Sequence, residues 1–272
     1  MNNDIKFSNI RDIIKQSNRR FRDFSNNLNC LTDYNSLNIN TTISPDEVCP
    51  NDRGEAYFYA GRNALFWIEL SLLLSCKRKY DINNILDIPC GHGRELRWIK
   101  SAFPDSNIVA SDIDKDAVDF CANTFNVTPN YSSVDFAKVL PDTTFDLIWI
   151  GSLFSHLNSK DWLSLLDFAD SKLNPGGIVI FTAAGLATAR MIENGVLGGL
   201  NGDNAKQLLS DYYNKGFGFT HYPHLPNSNY GRSLAKPQWI SSVLESYKSF
   251  KLVLYCEQAW DSLQDVICCE KY

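Results

Sequence analysis

Two glycines in the segment Asp87-Ile88-Pro89-Cys90-Gly91-His92-Gly93 are the strongest sign of chemistry in the chain. Glycine takes backbone conformations closed to other residues and lets a ligand approach the main chain. The next predicted strand ends near Asp112, roughly twenty residues beyond Gly93, where a carboxylate can accept hydrogen bonds from both ribose hydroxyls. The spacing predicts a site for a nucleotide-like cofactor, although the two glycines alone are also explained by a tight turn that binds nothing.

Leu96 separates two kinds of cofactor. The dinucleotide loop G-x-G-x-x-G needs its third glycine for close packing of helix against strand, and its helix faces a pyrophosphate. Leucine occupies that position here and pushes the helix away. The loop therefore favours a cofactor that has no pyrophosphate.

The elements that must position this loop alternate between strand and helix, which predicts an α/β fold with a doubly wound sheet. A short connection between the last two strands favours an antiparallel pair at the C-terminal edge. The predicted strands are 84–88, 107–111, one that ends near Val134, 145–150, 178–181, 250–256 and 265–269, and the predicted helices are 55–76, 94–102, 115–125, 162–173 and 238–247.

Two segments lie outside this alternation. Residues 1–54 are rich in Asn, Ser and Asp and are predicted to form a helical and loop extension. Residues 186–235 interrupt the second half of the sheet with glycine breaks and an aromatic stretch, and an insertion of this length is usually functional. We expect one domain over 55–272, with 186–235 as a cap over the substrate.

The ordered motifs resemble those of the class I S-adenosylmethionine-dependent methyltransferases, from about Tyr57 to the C-terminus. The resemblance implies a seven-stranded Rossmann-like sheet with an antiparallel last strand, S-adenosyl-L-methionine as cofactor and a small-molecule acceptor. Several segments look more narrowly like a bacterial branch often found among glycan and secondary-metabolite biosynthesis proteins, which favours a sugar or secondary metabolite as acceptor. These segments are Cys90-Gly91-His92-Gly93-Arg94, Gly151-Ser152-Leu153-Phe154-Ser155-His156-Leu157, Gly216-Phe217-Gly218-Phe219 and Trp260-Asp261 with Gln264-Asp265-Val266.

The resemblance also implies which residues hold the cofactor. Asp87 would order the methionine end, Asp112 would bind the ribose hydroxyls, and Asp135 would lie near the adenine amine. Arg62 and Arg94 are candidates for the cofactor carboxylate because guanidinium pairs with it bidentately, although a surface arginine explains either nearly as well. The full cofactor set is Arg62, Asp87, Pro89, Cys90, Gly91, His92, Gly93, Arg94, Asp112, Ile113, Asp135, Phe136, Ile150, Gly151 and Ser152.

His156 is the candidate general base, because it follows the fourth strand and a neutral imidazole can take a proton near pH 7. A histidine that caps the next helix or fills a polar gap is the alternative. His221 and His224, in the aromatic insertion, are further catalytic candidates, although loop histidines are more often solvated.

An aromatic group in the insertion is predicted to contact the acceptor as an apolar or sugar-stacking wall. The alternative is a small core beneath a long loop. The residues are Phe217, Phe219, Tyr222 and Tyr230.

Composition narrows the class of protein further. The chain has 272 residues, 44% of them hydrophobic, and a formal charge of −5, which opposes a nucleic-acid partner. Without an apolar leader or a long apolar span, we expect a cytoplasmic protein with no membrane insertion and with buried, reduced cysteines. Metal binding is not expected, because the histidines lack local ligand spacing. The oligomeric state is not predicted.

The favoured hypothesis is O-methylation of a sugar or other small hydroxylated metabolite by in-line transfer. N-methylation of a small amine is the nearest variant. A nucleic-acid methyltransferase is less favoured, since the amino-methylating members carry Asn/Asp-Pro-Pro-aromatic where this chain has Ile150-Gly151-Ser152-Leu153. An NAD-dependent oxidoreductase and a non-catalytic cofactor-binding protein are the remaining alternatives.

Overall fold

The computed structural model describes residues 31–47, 54–136, 143–197, 199–200, 202–225 and 229–272, and within them the chain forms nine strands and seven α-helices. The strands are β1 (Asn84–Asp87), β2 (Asn107–Asp112), β3 (Thr128–Tyr131), β4 (Phe145–Ile150), β5 (Leu173–Ala183), β6 (Phe217–His221), β7 (Gly231–Ala235), β8 (Phe250–Trp260) and β9 (Gln264–Lys271). The helices are α1 (Glu55–Leu74), α2 (Leu96–Ala102), α3 (Lys115–Phe125), α4 (Ser159–Lys172), α5 (Leu186–Glu193), α6 (Gly202–Lys215) and α7 (Pro237–Glu245).

Seven strands form one sheet in the order β3-β2-β1-β4-β5-β9-β8. Neighbours from β3 to β5 pair in parallel, whereas β9 runs antiparallel to both β5 and β8. This topology confirms the predicted doubly wound sheet with an antiparallel last strand. The strand order reverses between β1 and β4, and ligands of such sheets bind outside the carboxyl ends of the strands at that point.

Alternate residues of the central strands face opposite sides of the sheet, because side chains in a strand alternate in direction. Ile85 and Leu147 belong to a buried cluster with α1, α2 and α3, while Leu86 and Ile148 belong to a second cluster with α4 and α7. Both faces are therefore covered, which explains why β4 is apolar along nearly its whole length.

The boundary of β5 differs from the prediction. The predicted helix ends at 173 and the predicted strand begins at 178, with Asn174-Pro175-Gly176-Gly177 between them, yet β5 already begins at Leu173, which pairs with Phe145. The register then shifts so that Leu147 pairs with Ile178, and the proline and glycines lie in the irregular part of the strand. Such an irregularity tolerates proline because the ladder is interrupted there.

The segment 186–235 folds as two helices, α5 and α6, followed by the antiparallel hairpin β6–β7. A small separate core that includes Leu208, Tyr212 and Leu234 holds it together. The hairpin packs against the 3-10 turn Phe154–His156, which follows β4. The insertion is thereby brought against the loop beyond the fourth strand.

Residues 31–47 run over α1 and α2 with one 3-10 turn, Tyr34–Ser36. Arg97 fixes this segment by donating from Nη1 to the carbonyls of Asn40 and Thr42 at 2.9 and 3.0 Å. The helical structure predicted for the rest of 1–54 lies mostly outside the described residues. Among the described residues, no helix is long and apolar enough to cross a membrane.

Candidate functional site

A cavity of about 660 Å³ opens at the carboxyl ends of β1, β2 and β4. This volume is in the range of about 300–1,000 Å³ that is usual for small-molecule sites. Its described lining residues are Glu47, Ile88, Pro89, Cys90, Gly91, His92, Arg94, Glu95, Asp112, Ile113, Ser132, Ser133, Val134, Phe136, Gly151, Ser152, Leu153, Leu157, Asp161, Leu225, Asn229, Tyr230 and Trp260.

The two glycines of the loop after β1 have different surroundings. Gly91 and Gly93 both have positive φ, +47° and +80°, which disfavours other residues. A Cβ on Gly91 would meet nothing within 4 Å, whereas one on Gly93 would lie 2.4 Å from the ring of Phe125. Gly91 therefore leaves space beside the cavity, while Gly93 allows the loop to pack against α3.

Asp112 at the end of β2 joins this loop to the neighbouring strand. The amide of Gly91 donates to Asp112 Oδ2 at 2.8 Å, and the amide of Asp114 donates to Oδ1 at 3.0 Å. Each carboxylate oxygen keeps a further lone pair, since an ionised carboxylate has about four acceptor sites. Asp112 lines the cavity and can accept hydrogen bonds from a bound molecule.

Asp87 is a buried carboxylate at the end of β1, directly before the loop. Neither of its oxygens has a hydrogen-bond partner among the residues that the structure describes. Burial raises the pKa of Asp87 well above its ordinary value, and the nearby Glu95 and Asp112 act in the same direction. Because a buried unpaired carboxylate is costly, a hydrogen-bond donor or cation supplied from outside would stabilise it.

Residues that follow β2 and β3 form an apolar wall of the cavity. Phe136 is buried, whereas Ile113 and Val134 are 65% and 84% exposed although both line the cavity. Large apolar side chains left open to a cavity are suited to packing against a flat, apolar face of a ligand.

Comparison with known proteins agrees with this geometry. A family model described as "Methyltransferase domain" matches residues 86–179, which contain the loop, Asp112 and β4. Residues 86–179 of this chain form a methyltransferase domain.

One curated relative of the methyltransferase domain is "Malonyl-[acyl-carrier protein] O-methyltransferase 2" of Ilyobacter polytropus, 33% identical over 110 residues. The match covers 40% of this chain and 42% of the relative, so the chain spans less than half of the relative's length.

Two solved structures share the fold. The plantazolicin methyltransferase BpumL is 16% identical with a TM-score of 0.53, covering 80% of this chain and 85% of that one. An S-adenosylmethionine-dependent methyltransferase from Clostridium acetobutylicum is 13% identical with a TM-score of 0.52, covering 80% and 92%. Identities this low establish the fold only.

The residues of the domain fit S-adenosylmethionine. Asp87 offers unpaired acceptors beneath the glycine loop, Asp112 offers lone pairs for hydroxyls, and Ile113 with its neighbours offers an apolar face. An ammonium or hydroxyl group suits a carboxylate, and a flat aromatic ring suits an apolar face.

Some of the cofactor candidates line the cavity and others do not. Arg94 lines it, with Nε 2.6 Å from Glu95 Oε1 and its guanidinium 5.3 Å from the ring of Trp260. Arg62 is not among the described lining residues, and its guanidinium lies over Tyr34 and Tyr59 instead. Four other candidates, Asp87, Gly93, Asp135 and Ile150, also lie outside this lining, whereas Pro89, Cys90, Gly91, His92, Asp112, Ile113, Phe136, Gly151 and Ser152 belong to it.

His156 lies beside the methyltransferase cavity but behind another ring. Its Nδ1 is 2.9 Å from the carbonyl of Gly231, which cannot donate, so Nδ1 carries the proton and Nε2 keeps its lone pair. The pKa of His156 is lowered to about 4, mainly by burial and also by the nearby Arg232, while the bond to Gly231 opposes the shift. Tyr230 stacks on the imidazole at 4.6 Å between ring centres and lines the cavity itself.

Some of the other candidates from the segment 186–235 lie near His156, and others do not. The hydroxyl of Tyr222 lies 2.9 Å from Nδ1 of His156, and the exposed His224 stacks on Tyr222 at 5.4 Å. His221, also exposed, contacts Phe219. Phe217 instead stacks on Trp239 at 4.3 Å and packs against the second buried cluster. Of the four aromatic candidates, Tyr230 is the one found among the described lining residues.

Several residues that line the cavity were not predicted from the sequence. Glu47 comes from the N-terminal segment, where Tyr57 donates to it at 2.9 Å. Asp161 lies in the first turn of α4, and Leu225 and Asn229 lie between β6 and β7. Their positions depend on contacts between distant segments, which hydrophobic periodicity does not report.

Proposed function

We propose that the chain transfers a methyl group from S-adenosylmethionine to a small acceptor, as an O-methylation of a sugar or other small hydroxylated metabolite. When bound, S-adenosylmethionine supplies a methyl group whose bond to the sulfonium breaks, with the electron pair kept by sulfur, as the acceptor atom bonds to the carbon. The observation that carries the proposal is Asp87, a buried carboxylate without a partner in the described chain, beside the glycine loop of a methyltransferase domain.

The protein residues contribute mainly by positioning. Gly91, Asp112, Ser152, Leu157 and Tyr230 all line the same cavity. In-line displacement is accelerated when two reacting groups are held in contact in a site that excludes water. The apolar residues of the lining, among them Ile113, Leu157 and Trp260, suit this requirement.

A hydroxyl acceptor must also lose a proton, and His156 remains the proposed base. The imidazole is neutral at pH 7 because its pKa is lowered to about 4, and its Nε2 lone pair is free to take a proton. Since Tyr230 stacks on the ring, an acceptor meets His156 only at the margin of the Tyr230 side chain. His221 and His224 are exposed and serve at most as further contacts from the cap.

Oxygen rather than nitrogen is favoured as the methylated atom. The curated relative, which is similar to this chain over 110 residues, is named as an O-methyltransferase. N-methylation of a small amine is the second candidate. A nucleic-acid acceptor is opposed by acidic side chains on the cavity wall, Glu47, Glu95 and Asp161. We further propose a cytoplasmic location.

Calorimetry with S-adenosylhomocysteine and with NAD tests the cofactor. We expect saturable binding of S-adenosylhomocysteine and none of NAD, whereas the reverse result would contradict the proposal. Transfer of radiolabelled methyl groups from S-adenosylmethionine to a panel of sugars, phenols, acids and amines then tests the acceptor class. Labelled amines without labelled oxygen compounds would replace O-methylation with N-methylation.

A further inference from the structure

Three polar residues, Ser152, Thr182 and Gln264, form a ring of hydrogen bonds that reaches the cavity wall at Ser152. The amide of Ser152 lies 2.7 Å from Thr182 Oγ1, and Thr182 Oγ1 lies 2.7 Å from Gln264 Oε1. Gln264 Nε2 in turn lies 2.9 Å from Ser152 Oγ. Thr182 on β5 and Gln264 on β9 are both buried, so this ring of three residues belongs to the interior of the domain.

The backbone amide of Ser152 sets the direction of each hydrogen bond in this ring. The amide of Ser152 can only donate, so Thr182 Oγ1 accepts that bond and gives its own proton to Gln264 Oε1. The amide nitrogen of Gln264 then donates to Ser152 Oγ. Ser152 therefore accepts from the protein and retains its own hydroxyl proton.

Ser155 is the other polar neighbour of this hydroxyl. Its Oγ donates to the carbonyl of Ser152 at 2.6 Å, so its proton is already used. The two hydroxyl oxygens are 3.5 Å apart, which is longer than the roughly 2.5–3.0 Å of an ordinary O–H···O bond. Within the described chain, the Ser152 proton thus has no partner at ordinary distance, and Ser152 lines the cavity.

The backbone of Ser152 supports a role for this arrangement. Its φ of +61° lies in the left-handed region, which is uncommon for a residue other than glycine. Strained conformations persist where the surrounding structure over-determines them, and they cluster at functional sites. Here the bonds to Thr182 and Gln264 hold the residue in place.

We infer that the Ser152 hydroxyl donates to the bound acceptor and selects an oxygen nucleophile over an amine; this inference rests on the proposed methyl transfer. An oxygen has two lone pairs, so one can accept from Ser152 while the other attacks the methyl carbon. A neutral amine has a single lone pair, and a hydrogen bond from Ser152 occupies the pair that the reaction needs. The fixed donor therefore matches an alcohol, a phenol or a carboxylate.

Two substitutions remove the donor in different ways. Ser152→Ala deletes the hydroxyl. Gln264→Glu keeps it but replaces the donating amide with a carboxylate that accepts, which turns the Ser152 proton away from the cavity. Ser171→Ala is the matched control, because the Ser171 hydroxyl donates to the Phe168 carbonyl within α4, away from the cavity.

Matched probes, cyclohexanol with cyclohexylamine, catechol with 1,2-diaminobenzene and acetate with ethylamine, measure the preference for oxygen, because the amine member of each pair carries no oxygen. We expect methylation of oxygen members alone, kcat/KM lower by about tenfold or more in Ser152→Ala and Gln264→Glu, and affinity for S-adenosylhomocysteine within about twofold of wild type. Ser171→Ala should match wild type. Methylated amines alone, or weaker S-adenosylhomocysteine binding as the sole effect of Ser152→Ala, would overturn the inference.

Neutron diffraction from crystals grown in D2O with S-adenosylhomocysteine decides the donor without any acceptor. A deuterium on Ser152 Oγ that points into the cavity supports the inference, and one that points to Ser155 or Gln264 overturns it. Failure of the wild-type protein to bind S-adenosylhomocysteine is a separate result, which contradicts the proposed function instead.

Discussion

The amide of Gly91 donates a 2.8 Å hydrogen bond to the carboxylate of Asp112, and this bond ties the loop after β1 to the end of β2. The loop and the carboxylate are 21 residues apart in the chain, yet they form one side of the same cavity. The bond fixes Asp112 while leaving lone pairs for a ligand, which makes it the natural first target for mutation.

Asp112→Ala should weaken S-adenosylhomocysteine binding by about tenfold or more, because a carboxylate that accepts hydroxyl hydrogen bonds is lost. Isothermal titration calorimetry measures the change. Asp105→Ala is the control, since Asp105 is exposed in the turn before β2 and lies outside the described lining. Equal affinity in the two variants would show that Asp112 does not contact the cofactor.

The two loop glycines should respond differently to alanine. Gly91→Ala should lower the free energy of unfolding by about 1 kcal/mol, because φ is positive at this position. It also places a methyl group in the space beside the cavity, so the loss of binding free energy for the cofactor should exceed the loss of folding stability. Gly93→Ala drives a methyl group into the ring of Phe125 and should destabilise the fold by about 2 kcal/mol or more. Urea unfolding and calorimetry on both variants separate the effects, and the opposite ranking would refute this assignment.

His156→Ala should lower kcat by about 100-fold or more while leaving S-adenosylhomocysteine affinity nearly unchanged, if the imidazole removes the acceptor proton. Because the pKa of His156 is lowered to about 4, wild-type activity should show no loss from this group between pH 8 and pH 6.

His156→Asn separates a base from a residue that only positions the hairpin. The asparagine amide can replace the bond from Nδ1 to the Gly231 carbonyl but cannot take a proton. Activity restored by asparagine would leave His156 with a positioning role, and unchanged turnover in the alanine variant would reject both roles.

Asp265 should make stability depend on pH. It accepts from Tyr255 Oη and the Gln258 amide, both at 2.9 Å, and burial raises its pKa from 3.8 to about 6. Between these values the folded chain holds a proton that the unfolded chain releases, so this contribution to stability rises as pH falls through 6 and levels off below 4, by up to about 3 kcal/mol.

Asp265→Asn removes that titration. Urea unfolding of wild type and variant from pH 8 to pH 4 should show the wild type gaining stability relative to the variant as pH falls. Parallel curves would place the Asp265 pKa at its ordinary value.

Local patterns were enough to predict the elements around the site. The helix over 115–125 and the strand over 145–150 have the expected bounds, because hydrophobic period and flanking polar residues are properties of a short segment. The start of β5 was missed, since pairing of Leu173 with Phe145 outweighed the local preference of proline and glycine to end regular structure.

By itself, the sequence determined the alternation of strand and helix, the glycine loop at the end of β1 and the carboxylate at the end of β2, since each depends on residues near in the chain. Only the tertiary structure decided that Glu47 reaches the cavity, that Tyr230 covers His156, and that Gln264 orients the hydroxyl of Ser152. Those relationships join segments dozens to more than a hundred residues apart. They are set by how the N-terminal segment, the segment 186–235 and the last strand pack on the sheet. Such packing does not appear in the hydrophobic periodicity of any one segment.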